Sequence, residues 1–352
     1  MQGFEGVGGN CSHFFFAQRW IRHSIAALGP TRFKNRNIPS MKSIDRRTFL
    51  KATTLATAAL SAPGTYGLAQ VVQNRVPSTA ASSGDPWIVD TNVNVLGWPF
   101  RHLKYGETGA LVAKLKKHRV REAWAGTYEA LFHKDIDGLN TRLVEECRRH
   151  GDGMLVPFGS VNLVWPTWEK RLQICHEVHR MPGVRIYPGY QPFDFDHPDF
   201  PRLLRAVAER NLILQISLQM EDPRVHHPVV QIGTRKSGLL LNLLREVPHA
   251  KIQLLHWGQD STIRGRNFLP RLLAAANVFL DISNLEATEG LGRMFAGNHW
   301  EIEGKFPVER FLFGSLTPYF PLECAMLKLF ESTLTREQMA AVMEGNAHRL
   351  RA

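Results

Sequence analysis

The stretch "IVDTNVNVLGWPF", Ile88–Phe100, decides the reading of this chain. Ile88–Val95 is predicted to be a strand. Within it Asn92 and Asn94 stand two residues apart, so both side chains project from one face. The segments that follow say what this strand belongs to. "ALVAKLKKH" has the pattern of a helix and "VREAWAG" that of a second strand. "LNTRLVEECRRHG" sets Leu139, Leu143, Val144 and Cys147 on one helical stripe, with Gly151 as the stop. "MLVPFGSV" and "GVRIYP" give strands three and four, with the helix "WEKRLQICHEVH" between them. "FPRLLRAVAERN" places Phe200, Leu203, Leu204 and Val207 on one face ahead of the fifth strand, "LILQISL". The sixth, seventh and eighth strands are "KIQLLHW", "VFLDIS" and "RFLFGS". The helices "LLLNLLREV" and "FLPRLLAAA" precede the sixth and seventh, and further helices begin at Leu322 and Thr335.

Eight such alternations in roughly 265 residues predict an α/β fold of the (β/α)8 barrel type, which usually runs to about 250 residues. A doubly wound open sheet would call for a glycine-rich phosphate loop between a strand and a helix. The only candidate, "GVGG", lies far upstream at residues 6–9.

The 352 residues carry a formal charge of +11, but its placement argues against nucleic acid. Nine of the 43 Lys/Arg and two of the 32 Asp/Glu lie in residues 1–69, leaving 34 against 30 in the rest. Those later charges are mixed in sign and lack interleaved aromatic stacking residues. The N-terminal segment has a different logic. From Met41, Arg46-Arg47 and then Phe49-Leu50-Lys51 resemble a twin-arginine export signal. The apolar run Ala52–Ala62 is too short to span a bilayer, which takes about 20 residues, so no stable membrane span is expected. Gly67 and Ala69 suit a signal-peptidase site. The expected division is therefore an upstream extension at 1–40, a signal at 41–69, a linker at 70–86 and a barrel at 87–352. The implied location is periplasmic or extracellular, and the implied partner is the twin-arginine export machinery. Of the four cysteines, Cys147, Cys175 and Cys324 fall in the barrel at no metal-type spacing, and are expected as buried thiols.

From Trp87 to Leu350 the chain resembles the amidohydrolase-related family, the group of aminocarboxymuconate-semialdehyde decarboxylase, relatives acting on aromatic acids, and lactonases. The resemblance rests on "IVDTNVNVLGWPF", "GVRIYPGY…DHPDFPRLLRAVAERNLILQIS", "VFLDISN", "FLFGSLTPY" and "VMEGNAHRL", in that order and at barrel spacing. It implies a divalent-metal site: His-x-His on strand one, histidines after strands five and six, an Asp after strand eight. Here the paired positions are Asn92 and Asn94, the strand-four histidine position is Tyr187, the strand-five position Ser217 and the strand-eight position Leu316. His256, in "LLHWG", alone survives. One imidazole with neutral amides is a poor site for zinc, so no metal and no other cofactor is expected.

Four readings stay open: a hydrolase or lyase without the family metal, acting on a lactone or ester; a degenerate barrel that binds a small carboxylated or sugar-like ligand; a relocated metal site; an exported scaffold. Functional groups of a barrel sit at the C-terminal ends of its strands. The loop after strand five, "QMEDPRVHHP", brings Glu221, Asp222, Arg224, His226 and His227 together, a set able to polarise an ester and move protons. His256 ends strand six and is the candidate base, with Asp222 or Glu221 as its proton partner. Arg185 and Tyr187 share a face of strand four and could hold a carboxylate and an oxyanion, or Arg185 could pair with an interior acid such as Asp90. Trp98, Trp124, Trp257 and Tyr319 could line a ligand pocket or pack as core, and His133–Asp135 and Asp281 lie at strand ends.

Overall fold

A computed structural model describes residues 87–352, apart from 101, 223, 225, 226, 231, 234, 261, 262, 265, 266, 286, 287 and 301. The extension, signal and linker assigned to residues 1–86 lie outside the described residues, and so does His226.

Strand β1 (Ile88–Val95) pairs in parallel with β2 (Val120–Thr127), and β2 with β3 (Leu155–Pro157). A second parallel run joins β4 (Gly159–Ser160), β5 (Gly183–Ile186), β6 (Ile213–Ser217), β7 (Lys251–Leu255), β8 (Val278–Asp281) and β9 (Phe311–Leu312) in that order. β3 and β4 are one barrel strand interrupted at Phe158, whose N–H still bonds the Ala125 carbonyl of β2 at 2.8 Å. On the other side, Thr91 N–H bonds Phe313 O at 2.9 Å, Leu316 N–H bonds Asn92 O at 2.8 Å and Asn94 N–H bonds Thr317 O at 2.9 Å. These bonds bring the chain beyond β9 against β1, and the architecture is the expected (β/α)8 barrel.

The helices follow their strands. α1 (Thr108–Lys117) and α2 (Ile136–His150) come after β1 and β2, and α3 (Trp168–Gln173) after β4. α4 (Phe200–Glu209), α5 (Gly238–Glu246), α6 (Phe268–Ala275) and α7 (Gly290–Ala296) come after β5 to β8. α8 (Leu322–Phe330), α9 (Arg336–Ala340) and α10 (Asn346–Arg351) close the chain. α2 begins three residues earlier than its apolar stripe suggests, because Asp135 caps it: its carboxylate accepts from Gly138 N at 2.9 Å. α4 buries Phe200, Leu203, Leu204 and Val207, the face expected from their spacing. No described helix is long and apolar enough to cross a membrane. Cys147 and Cys175 are buried, and burial pushes both thiols up to about 12. Cys324 is exposed, contrary to expectation, because it lies on the outward side of α8.

The barrel interior changes character along its axis. The floor is apolar: Val89, Trp124, Phe158, Ile213, Phe279 and Leu312, with Trp124 stacked on Phe158 at 5.0 Å. Trp124 is thus core, not pocket lining. Above it runs a polar row, Arg185, Gln215 and Gln253, adjacent in register on β5, β6 and β7. Gln215 Nε2 donates to Gln253 Oε1 at 2.8 Å and to Thr91 O at 2.9 Å, and Gln253 Nε2 donates to Thr91 Oγ1 at 2.7 Å. Such a layer more often holds branched aliphatics. Here buried amides satisfy one another, which removes most of the penalty of burying them.

Candidate active site

β1 builds the site through a bulge. Three steps of β1, from Asp90 to Val93, span two of β2, from Ala123 to Ala125. The extra residue re-aims its neighbours, so that consecutive Thr91 and Asn92 both reach inward groups across the barrel. Asn92 Nδ2 lies 2.7 Å from Asp281 Oδ2 on β8 and 2.8 Å from His256 Nε2, just past β7. Gly314 makes this closeness feasible: a Cβ there would fall 2.9 Å from Asp281 Cβ and 3.1 Å from Asn92 Cβ.

The network fixes the protons. Asn92 Nδ2 can only donate. His256 Nε2 must therefore accept, which places the ring proton of the neutral imidazole on Nδ1, facing Ser217 Oγ at 3.1 Å. Burial holds the imidazole well below its usual range, and the Arg185 charge lowers it further. Asp281 also accepts from Ser283 Oγ at 2.8 Å and from His256 N at 3.2 Å. Burial nevertheless raises its carboxyl to about 6. Below it, burial raises Asp90 to about 7, opposed by bonds from Ser315 and the Asn92 backbone. His256 has φ of 59° and Leu316, at the former strand-eight Asp position, 60°. Left-handed backbone at non-glycine residues costs energy and often marks functional sites.

Arg185 and Asn94 form the opposite wall. Arg185 Nε donates to Gln215 Oε1 and Nη1 to Asn94 Oδ1, both at 2.9 Å. Asp90 is not its partner. Tyr187 donates its hydroxyl to Thr127 O at 3.1 Å. Burial raises this phenol, with Arg185 pulling it partly back. Asn92, Asn94, Arg185, Tyr187 and His256 are thus brought to one interior, as their strand positions imply.

The loop after β6 behaves otherwise. Asp222 holds the exposed Arg224 in a clamp two residues long. Glu221 is buried beside Tyr190. His227 stacks on Phe100 at 4.1 Å. Both ring nitrogens of His256 are taken by Ser217 and Asn92, so the expected sharing of its proton with Asp222 or Glu221 gives way to an Asn92–Asp281 arrangement. Ser217 and Asp281, expected only as a substituted metal position and a strand-end acid, meet His256 and Asn92 from the C-terminal ends of β6 and β8. Trp257 packs in the core and donates Nε1–H to Asp281 O at 2.7 Å. Asp135 is a helix cap, and His133 faces Glu129.

A layer of Trp98, Tyr128, Tyr187, Met220 and Leu316 lies over the mouth, with Trp98 edge-on to Tyr128 at 4.8 Å and to Tyr319 at 5.6 Å. A pocket of about 310 Å³ is lined by Leu96, Trp98, Leu103, Glu107 and Glu146 among others, and by none of Asn92, Arg185 or His256.

A family model for amidohydrolases matches residues 101–350, beginning just after β1. Solved structures share the fold at low identity. A 2,6-dihydroxybenzoate decarboxylase from Rhizobium is 14% identical with a TM-score of 0.56, covering 76% of this chain and 98% of its own. A dihydroxybenzoic acid decarboxylase from Polaromonas, with bound manganese and 2-nitroresorcinol, gives 13%, 0.57, 76% and 97%. A 5-carboxyvanillate decarboxylase from Novosphingobium aromaticivorans, also with manganese, gives 14%, 0.54, 76% and 97%. None of the curated proteins matches the chain.

Manganese in two of these structures corrects the expectation of no cofactor: loss of the usual histidines is no ground for a cofactor-free reading. The groups present do not, however, form a closed cage for such an ion. His256 Nε2 and Asp281 Oδ2 converge, but the Asn92 amide nitrogen stands between them. Asn92 Oδ1 is a further oxygen without a partner. Among the described residues no three His, Cys, Asp or Glu side chains gather as a metal site.

Proposed function

We propose, from the premise that this chain belongs to the amidohydrolase family, that it is a lyase or hydrolase acting on a small carboxylated molecule at the barrel mouth. The observation that supports this most is the buried chain Ser217–His256–Asn92–Asp281, set at strand ends beside Arg185 with His256 in a strained conformation. In this reading Arg185 and Asn94 hold the substrate anion. Tyr187 and Trp98 bound the site, with Arg224 and His227 on the loop that follows β6. Asn92 and Asp281 keep the His256 proton on Nδ1, where it donates to Ser217 Oγ and so orients the Ser217 hydroxyl proton towards the substrate. The neighbours' substrates, hydroxylated benzoates, make decarboxylation the first reaction to try and lactone or ester hydrolysis the second.

The test is a panel of aromatic and aliphatic carboxylates, assayed for CO2 release, and of lactones and esters, each with and without added manganese. Turnover that falls about 10²–10⁴-fold in His256→Ala supports the reading. Equal rates in both proteins would sink it. The second reading is a barrel that binds without reacting, and the apolar layer over the mouth favours it. Ligand-dependent stabilisation without turnover would establish that one. Export through the twin-arginine route, resting on Arg46-Arg47, is part of the same proposal; mature protein should begin near Gln70, and protein that retains residues 1–40 would count against it.

A further inference from the structure

We infer that the barrel interior contains a seat for one monovalent anion, formed by the Nη2 edge of Arg185 and the amide nitrogen of Asn94. Arg185 is 1% exposed and permanently charged. Its Nε and Nη1 bond the neutral oxygens of Gln215 and Asn94, its neighbour Tyr187 is a neutral phenol, its Nη2 has no partner at hydrogen-bond distance, and among the described residues no carboxylate pairs with it. A buried cation without counter-charge is among the costliest arrangements a protein interior can hold. Arg235 shows the usual solution in this same chain. It is 7% exposed, and its Nε holds Asp260 Oδ2 at 2.8 Å.

The geometry at Arg185 is poised for a ligand in place of an acid. Asn94 Oδ1 accepts from Nη1 at 2.9 Å, which orients the amide and leaves Nδ2 as a second buried donor without a partner. Two free donors thus belong to side chains already bonded to each other. Together they carry a single positive charge, which suits a halide, formate or a carboxylate group; sulfate would bring one charge too many. Gly126 leaves the guanidinium its room, since a Cβ there would fall 2.6 Å from Nη1. The seat stands whether or not the chain turns a substrate over, because its test is binding.

The experiment is thermal unfolding of the purified protein, dialysed into sodium sulfate, with sulfate replaced at constant ionic strength by chloride, bromide, formate, lactate or benzoate. Exclusion effects favour stability in sulfate, so a rise on replacement runs against that background. The expected result is a saturable rise. At a hundredfold excess over Kd the folded-to-unfolded ratio increases about 100-fold, which raises the midpoint by roughly 5–10 °C. Asn94→Asp places a carboxylate on Nη1 and should abolish the response, and Arg185→Gln should do the same. A response to small anions only identifies a resident counter-ion. A stronger response to lactate or benzoate identifies the anionic end of a substrate, and either supports the seat. No saturable rise in the wild-type protein, or an equal rise in Asn94→Asp, overturns it.

Discussion

Replacing Asp90 with asparagine is expected to remove a large share of the pH dependence of stability between pH 4 and 7. Asp90 is fully buried in β1, and burial raises its carboxyl from 3.8 to about 7 despite the bonds that Ser315 and Asn92 give it. Between those two values the folded chain holds a proton that the unfolded chain has released. Stability therefore falls as pH rises through this window and is level above it. A tenfold difference in proton affinity is worth about 1.4 kcal/mol, so a rise of this size amounts to about 4 kcal/mol. Asparagine does not titrate and fits the same bonds. Its Oδ1 can accept from Asn92 N and Ser315 N, now 3.1 and 3.0 Å from Asp90 Oδ1, and its Nδ2 can donate to Ser315 Oγ. Urea denaturation of both proteins from pH 4 to 8 measures the effect. Subtracting the two curves cancels groups that do not interact with Asp90; the coupling to Asp281 is the smallest of the influences on Asp90 and changes the difference only slightly. Asp90→Asn should gain about 4 kcal/mol on wild type across that range. A difference that stays constant to within about 0.5 kcal/mol would refute a proton on buried Asp90, since so small a change leaves no room for a carboxyl lifted this far.

Gly126→Ala should destabilise by about 1–3 kcal/mol in chemical denaturation, because its Cβ would meet Arg185 Nη1 and Cζ at 2.6 and 2.7 Å. Arg235→Met should cost about 3–5 kcal/mol by the same measurement, since it removes the positive charge beside the buried Asp260 carboxylate and leaves it hydrogen bonds such as those of Ser237 Oγ and Ile263 N. Asp135→Ala should cost about 1 kcal/mol through loss of the α2 cap, with little change in the folded-state circular dichroism.

Most of the frame was legible because barrel strands are short apolar runs with one helix each, and β1 occupies the very residues its pattern marks. The misses have local causes. β3 and β4 look like one run, but Phe158 turns into the floor against Trp124 and breaks the ladder there. α7 escaped notice because Gly290 and Gly292 weaken its helical signal, while Leu291, Met294 and Phe295 are buried and hold it by packing. In the site, strand position correctly put Asn92, Asn94, Arg185 and His256 inside. Local composition misled at residues 219–228, where Asp222 clamps Arg224 two residues away at the exposed surface. The partners that matter lie 164 and 189 residues from Asn92, and no local pattern encodes such pairings.

The bulge in β1 carries the consequence furthest. A regular strand would turn Thr91 and Asn92 to opposite faces. With the bulge, Thr91 anchors the polar row while Asn92 and Asn94 both line the mouth. Their unmet needs are opposite: Asn92 Oδ1 lacks a donor, and Asn94 Nδ2 lacks an acceptor. Two residues of strand separate the two positions by about 7 Å. One small molecule can answer both if it carries an anion at one end and a hydroxyl a few bonds away, with the anion on the Arg185 side. A plain carboxylate answers only Asn94. With propionate added to the anion panel, a hydroxy acid such as lactate should therefore bind more tightly than this deoxy counterpart, by the several-fold that about 1 kcal/mol of net hydrogen bonding supplies. Equal affinities would leave Asn92 Oδ1 outside the ligand's reach, and would confine recognition to Arg185 and Asn94.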